Sequence, residues 1–67
     1  MTVDDVRKRV EVIRNEAEAA DNETAHSMED ELYAEVLKAI ANGADNPEKL
    51  AAEALETEKI EFYRWYS

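Results

Sequence analysis

Apolar residues recur every three or four positions through most of this chain, and that spacing commits it to helices. Val3, Val6, Val10, Ile13, Ala17 and Ala20 step by three and four without a break, which places them on one stripe of an α-helix. Thr2 is in position to cap it, and Asp4 and Asp5 fall where the helix dipole favours negative charge. The valines are mediocre helix formers, so this helix depends on tertiary contacts to stand. A polar interruption follows at Asp21-Asn22-Glu23-Thr24, with Asn22 or Thr24 as candidate caps for a second helix. That helix carries Ala25, Met28, Leu32, Tyr33, Val36, Leu37, Ile40 and Ala41, a wider stripe that predicts a central position. Asn42-Gly43 ends it, Gly being the residue that accepts positive φ just past a helix.

A third helix starts at Asn46-Pro47, with Asn46 as cap and Pro47 at the first helical position, where its missing N–H costs nothing. Leu50, Ala51, Ala54 and Leu55 form its stripe. Ile60-Glu61-Phe62 alternates as an extended segment would, so a break is expected near residues 57–59. The reading is therefore one all-α domain, a small three-helix bundle over residues 1–67, with helices at about 3–20, 23–42 and 47–57 and an aromatic tail, 58–67, packed on it. There are no internal repeats and no linkers long enough to separate domains.

A chain of 67 residues makes a marginal core, and domains of this size commonly rely on a disulfide, a metal or a partner chain. With no Cys and one His, disulfides and thiolate or His-rich metal sites are excluded. No cofactor or metal is expected. A protein partner is the remaining staple, and a homodimer is one form it can take, since Val12 lies off the first stripe and widens its apolar surface. The formal charge of −9 opposes direct contact with nucleic acid or anionic lipid and attracts basic proteins. No apolar run approaches the roughly 18 residues of a membrane span. The acidic Met1-Thr2-Val3-Asp4-Asp5 start is unlike a signal peptide. A cytoplasmic protein is the expectation.

From His26 through Glu29-Asp30 and Leu32, on through Val36-Leu37-Lys38-Ala39-Ile40-Ala41-Asn42-Gly43, then Leu50-Ala51, Ala54-Leu55-Glu56-Thr57, Ile60-Glu61-Phe62 and Arg64-Trp65, the chain resembles a small family of functionally uncharacterised proteins of actinobacteria and the phages that infect them. Its pattern is roughly A-H-x-x-E-D-x-L, V-L-x-A-I-A-x-G, L-A-x-x-A-L-x-T and I-x-F-x-R-W, and the resemblance covers about residues 3–66. It implies a phage or phage-derived protein made in the cytosol of a bacterial host, and it carries no activity and no functional residue to transfer. Members of that family often have a Cys after the Trp. Here Tyr66 stands there, which argues against a role for a C-terminal thiol.

His26 with Glu29 and Asp30 is the nearest approach to a catalytic or metal-binding set. His at i and Glu at i+3 share a helix face, the spacing of di-metal bundles. Those bundles repeat the motif on several helices, and here it occurs once, so His26 reads as an ordinary residue near a helix start. Ser27 and Thr24 beside it lack any Gly elbow or oxyanion feature. An enzyme is the least supported class.

More informative is the run Glu16, Glu18, Asp21, Glu23, Glu29, Asp30, Glu31 and Glu35, which contains no Lys or Arg between Arg14 and Lys38. Glu16, Glu18 and Asp21 fall at the end of the first helix, where the dipole disfavours them by a few tenths of a kcal/mol each. The run lacks the loop of a calcium site. It reads either as a solvated face or as a docking surface. Arg7, Lys8, Arg9 and Arg14 are a poor nucleic-acid footprint and are expected to pair with acids such as Glu11 and Glu18. In the segment Phe62-Tyr63-Arg64-Trp65-Tyr66, Phe62 and Trp65 are expected to close the core. Tyr63 and Tyr66 are the better exposed contacts. The candidate protein-binding residues are thus Glu16, Glu18, Asp21, Glu23, Glu29, Asp30, Tyr63 and Tyr66. The expected function is a non-enzymatic interaction module, phage or phage-derived, that binds a host or phage protein. The alternative is a DNA mimic that occupies the basic groove of a nucleic-acid-binding protein.

Overall fold

In the computed structural model, which describes residues 1–62, three helices pack around one small core: α1 (Val3–Glu18), α2 (Asn22–Ala41) and α3 (Pro47–Ala54), followed by a 3-10 turn at Leu55–Lys59. Among the described residues there is no strand. The three-helix, all-α reading holds.

Thr2 caps α1 through a reciprocal capping box. Its hydroxyl accepts from the Asp5 amide at 3.2 Å while the Asp5 carboxylate accepts from the Thr2 amide at 2.9 Å. The bond from the Thr2 amide, with a smaller contribution from the Thr2 side chain, holds the Asp5 carboxyl below its ordinary range. α1 stops at Glu18, two residues earlier than the apolar stripe suggests. The Ala20 amide bonds to the Ala17 carbonyl and the Asp21 amide to the Glu16 carbonyl, both at 3.0 Å, with Ala20 left-handed at φ 63°. This is a Schellman turn with alanine where glycine is usual. The same turn closes α2, where Gly43 bonds to Ile40 and Ala44 to Ala39, and Gly43 takes φ 83°.

Two capping expectations are corrected, and a third, Asn46 as the cap of α3, holds in position but without a side-chain bond. The α2 cap is Asp21, whose carboxylate accepts from the Thr24 amide at 3.2 Å, and neither Asn22 nor Thr24 serves. Asp21 therefore sits at the start of α2, where the dipole favours it, and not in the disfavoured last turn of α1. Asn46 makes no side-chain cap bond. It contributes a left-handed backbone at φ 53°, which Asn tolerates better than most residues, and its carbonyl accepts from Lys49 and Leu50.

α3 also ends earlier than expected, at Ala54. The buried line nevertheless continues through Leu50, Ala54, Thr57 and Ile60, because the chain tightens to the three-residue period of a 3-10 turn. Thr57 is wholly buried, and its hydroxyl is hydrogen-bonded to that of Tyr33 on α2. The core comprises Val6, Val10 and Ile13 of α1, Ala25, Leu32 and Val36 of α2, and Leu50, Ala54 and Ile60, with Phe62 half-buried against it. Two large residues assigned to apolar stripes lie outside that core, Leu37 at 66% and Leu55 at 50% exposure, and the stripe alanines Ala20 and Ala41 are exposed too. The bundle measures 35 × 24 × 14 Å along its principal axes. α1 packs on one side of the α2–α3 pair, and among the described residues no further helix covers the other side.

Candidate functional site

Two surfaces stand out, one acidic and one apolar. The acidic one is built at the corner where α1 gives way to α2. Glu16 and Glu18 occupy the last turn of α1, which contains no basic residue. Asp21 caps α2 and Glu23 lies in its first turn. The Schellman turn reverses the chain within three residues and so draws these four acids together. Glu18, Asp21 and Glu23 are exposed and Glu16 is half-buried. Only Glu16 and Glu18 oppose a helix dipole, since Asp21 and Glu23 belong to the favoured end of α2.

The basic residues of α1 are directed elsewhere. Arg7 reaches across to Glu53 of α3 at 2.9 Å and stands 3.6 Å from Asp4. The bond to Glu53 raises the Arg7 guanidinium above its ordinary range. Arg9 pairs with Glu35 of α2, and Arg14 with Glu11. Arg7 and Arg9 therefore tie helices together, and the expected Arg14–Glu18 pair gives way to Arg14–Glu11. Among the described residues no cation lies within ion-pair distance of Glu16, Glu18, Glu23 or Glu31.

The α2 members of the acidic run divide. Asp30 is exposed and its carboxylate lies 3.5 Å from the His26 Nε2. Glu29 is only 4% exposed, so it is not a surface contact. The reason is its spacing: Ala25, Glu29, Leu32 and Val36 step by four, three and four along the line of α2 that faces the core. No buried side-chain polar atom among the described residues lacks a hydrogen-bond partner. Glu35 is half-buried and engaged with Arg9. Tyr63 and Tyr66, and the expected core residue Trp65, lie outside the described residues.

The apolar surface was not foreseen from the sequence. A groove of about 240 Å³ runs between α2 and α3, lined by Tyr33, Val36, Leu37, Ile40, Ala51 and Leu55 among others. The detectable signal is the width of the α2 stripe, since Tyr33, Leu37 and Ile40 form a second line beside the core-facing one, more than one neighbouring helix can cover.

Among the described residues no group of three or more His, Cys, Asp or Glu side chains could hold a metal ion. No helix there is long and apolar enough to cross a membrane. No protein-family model, no curated protein and no solved structure matches the chain.

Proposed function

We propose that the protein is a small non-enzymatic interaction module that docks on a basic surface of another protein. The observation that carries this is the distribution of charge. The arginines of α1 are engaged by Asp4, Glu11, Glu35 and Glu53, while Glu16, Glu18, Asp21, Glu23 and Glu31 have no cation within ion-pair distance among the described residues, although Arg14 and Lys59 border the same surface hollow as Glu18. Placing Glu16 and Glu18 against the α1 dipole costs stability in the free domain, and a cationic partner offsets that cost. The family resemblance makes the partner a host or phage protein in a bacterial cytosol. Tyr63 and Tyr66 supply the aromatic part of the proposed contact, and Asp30 lies on the same helix as Glu23 and Glu31.

In the alternative, the carboxylates copy the phosphates of DNA. That reading needs a continuous row of exposed acids, and on α2 the row is interrupted by the burial of Glu29 and the engagement of Glu35 with Arg9. The docking reading is preferred on that ground.

The test begins with capture of the partner from host lysate on the intact protein, followed by binding kinetics with Glu16→Gln/Glu18→Gln/Asp21→Asn/Glu23→Gln. Asn at position 21 retains the capping chemistry. Exposed charges steer encounter more than they hold a complex. Association should therefore slow by about tenfold at low salt and lose much of its salt dependence. Truncating Tyr63 or Tyr66 should instead speed dissociation. Unchanged association and salt response in the four-acid variant would reduce the acidic corner to a solvated face.

A further inference from the structure

We infer that the α2–α3 groove is a seat for an amphipathic helix with basic flanks, supplied by the partner protein. The inference rests on the reading of this chain as an interaction module but assigns a second, separate surface to it. Leu37 and Leu55 both line the groove, 66% and 50% exposed, large apolar side chains outside the core of the described residues. Only residues 42–46 join α2 to α3, and the Tyr33 hydroxyl is hydrogen-bonded to that of Thr57 just past α3, so the two helices run antiparallel beneath the groove. From Tyr33 to Ile40 is seven residues of helix, about 10 Å. That length matches two turns of a docked helix presenting apolar anchors at i, i+3 or i+4, and i+7.

Charge names the kind of helix. Asp30 lies seven residues before Leu37 and Glu48 seven residues before Leu55, so each continues the line of its leucine two turns away. Because the helices are antiparallel, these two exposed acids stand at opposite ends of the groove. Lys38 and Lys49 are set about 100–120° round their helices from the leucine lines and do not border it. The groove is thus lined by apolar side chains, and helix spacing sets one acid beyond each end, Asp30 (beside His26) and Glu48, an arrangement complementary to a helix with an apolar stripe and Lys or Arg beyond it. A second copy of this chain is disfavoured as occupant. Two molecules of charge −9 repel, and face-to-face pairing of the same groove would set acids at its ends with no cation of the groove's described lining to meet them.

The test uses the full chain, isotopically labelled for amide NMR, and a synthetic peptide probe with leucines at i, i+4 and i+7 and lysines on its other faces. A scrambled peptide of the same composition is the control. Saturable shifts centred on Tyr33, Leu37, Ile40 and Leu55 are expected with the patterned peptide only. Leu37→Ser/Leu55→Ser should weaken binding at least about tenfold. Both sites are exposed, and unchanged circular dichroism verifies that the variant is folded. Asp30→Asn/Glu48→Gln should weaken binding less and flatten its salt dependence. The four-acid variant at the α1–α2 corner should bind the peptide within about twofold of the parent, because that corner is a different surface. Equal binding of the scrambled peptide, or full binding by the leucine variant, would overturn the groove assignment. So would a dimer of the free protein in sedimentation whose dilution shifts the same amides. Loss of peptide binding in the four-acid variant alone would transfer recognition to the acidic corner, overturning the groove while leaving the module reading in place.

Discussion

α2 carries two apolar lines side by side, and they have different fates. Ala25, Leu32 and Val36 are buried against α1 and the α3 segment, with Glu29 on the same line. Tyr33, Leu37 and Ile40, displaced by about a quarter turn, border an open groove. Hydrophobicity alone does not distinguish them, because leucine occurs in both. The covering helix decides, and among the described residues α1 covers only one side of the α2–α3 pair. One line is wholly within the core, and the other packs against it through Tyr33 and Ile40 while leaving Leu37 exposed.

The sharpest way to break this contrast is to place a carboxylate in each line. Leu32→Asp buries a charge among apolar neighbours and leaves a cavity, at a cost of about 4 kcal/mol or more. Total stability for a domain of this size is about 5 kcal/mol, so the variant should lose its helical circular-dichroism signal. Val10→Asp, on the α1 side of the same core, should behave alike. Retention of full helicity by either would contradict the core as described.

Two intermediate effects sharpen the boundary and the corner. Tyr33 belongs to both regions, since its ring borders the groove while its hydroxyl bonds to buried Thr57. Tyr33→Phe should cost about 1 kcal/mol in chemical denaturation, and no change would place that hydroxyl in solvent. Ala20→Gly should stabilise by about 0.5–1 kcal/mol, because Ala20 holds a left-handed φ of 63° that glycine adopts without strain. The matching change at the other Schellman turn, Gly43→Ala, should destabilise by a similar amount. Nothing lies within 4 Å of the added methyl, so its effect is purely one of backbone conformation. Like-signed results at the two turns would contradict the assignment of both.

The smallest effect is the complement of the largest. Leu37→Asp removes an exposed side chain and should change stability by no more than about 0.5 kcal/mol. From the width of the α2 stripe alone, the same substitution would be expected to unfold the domain. A melting temperature close to the parent's separates the two accounts.

Leu37 marks the limit of what the sequence shows. The stripes of α1 and α2, the Thr2 cap, Pro47 at the start of α3 and Gly43 at the end of α2 are local signals, and each was legible. Glu29 and Thr57 were not, because a polar residue at a core-facing position looks like a solvent-facing one until the neighbouring helix is in place. Thr57 and Ile60 were obscured further by the change of period from 3.6 to three residues per turn. At the candidate site, Glu16, Glu18, Asp21 and Glu23 were recognisable as a charged run. That Arg7 and Arg9 are directed to Glu53 and Glu35 across the bundle depends on contacts 46 and 26 residues apart in the chain, which no local pattern records.

The central claim is that recognition uses the acidic corner and the open line of α2, not the core or the basic side of α1. The most direct measurement is an amide NMR footprint of the full chain bound to its captured partner. The account predicts shifts concentrated at Glu16–Glu23, at Asp30 and along Tyr33, Leu37 and Leu55, with Asp4, Lys8 and Glu11 little changed. A footprint confined to the Asp4–Val12 side of α1, with the corner and groove unperturbed, would contradict it.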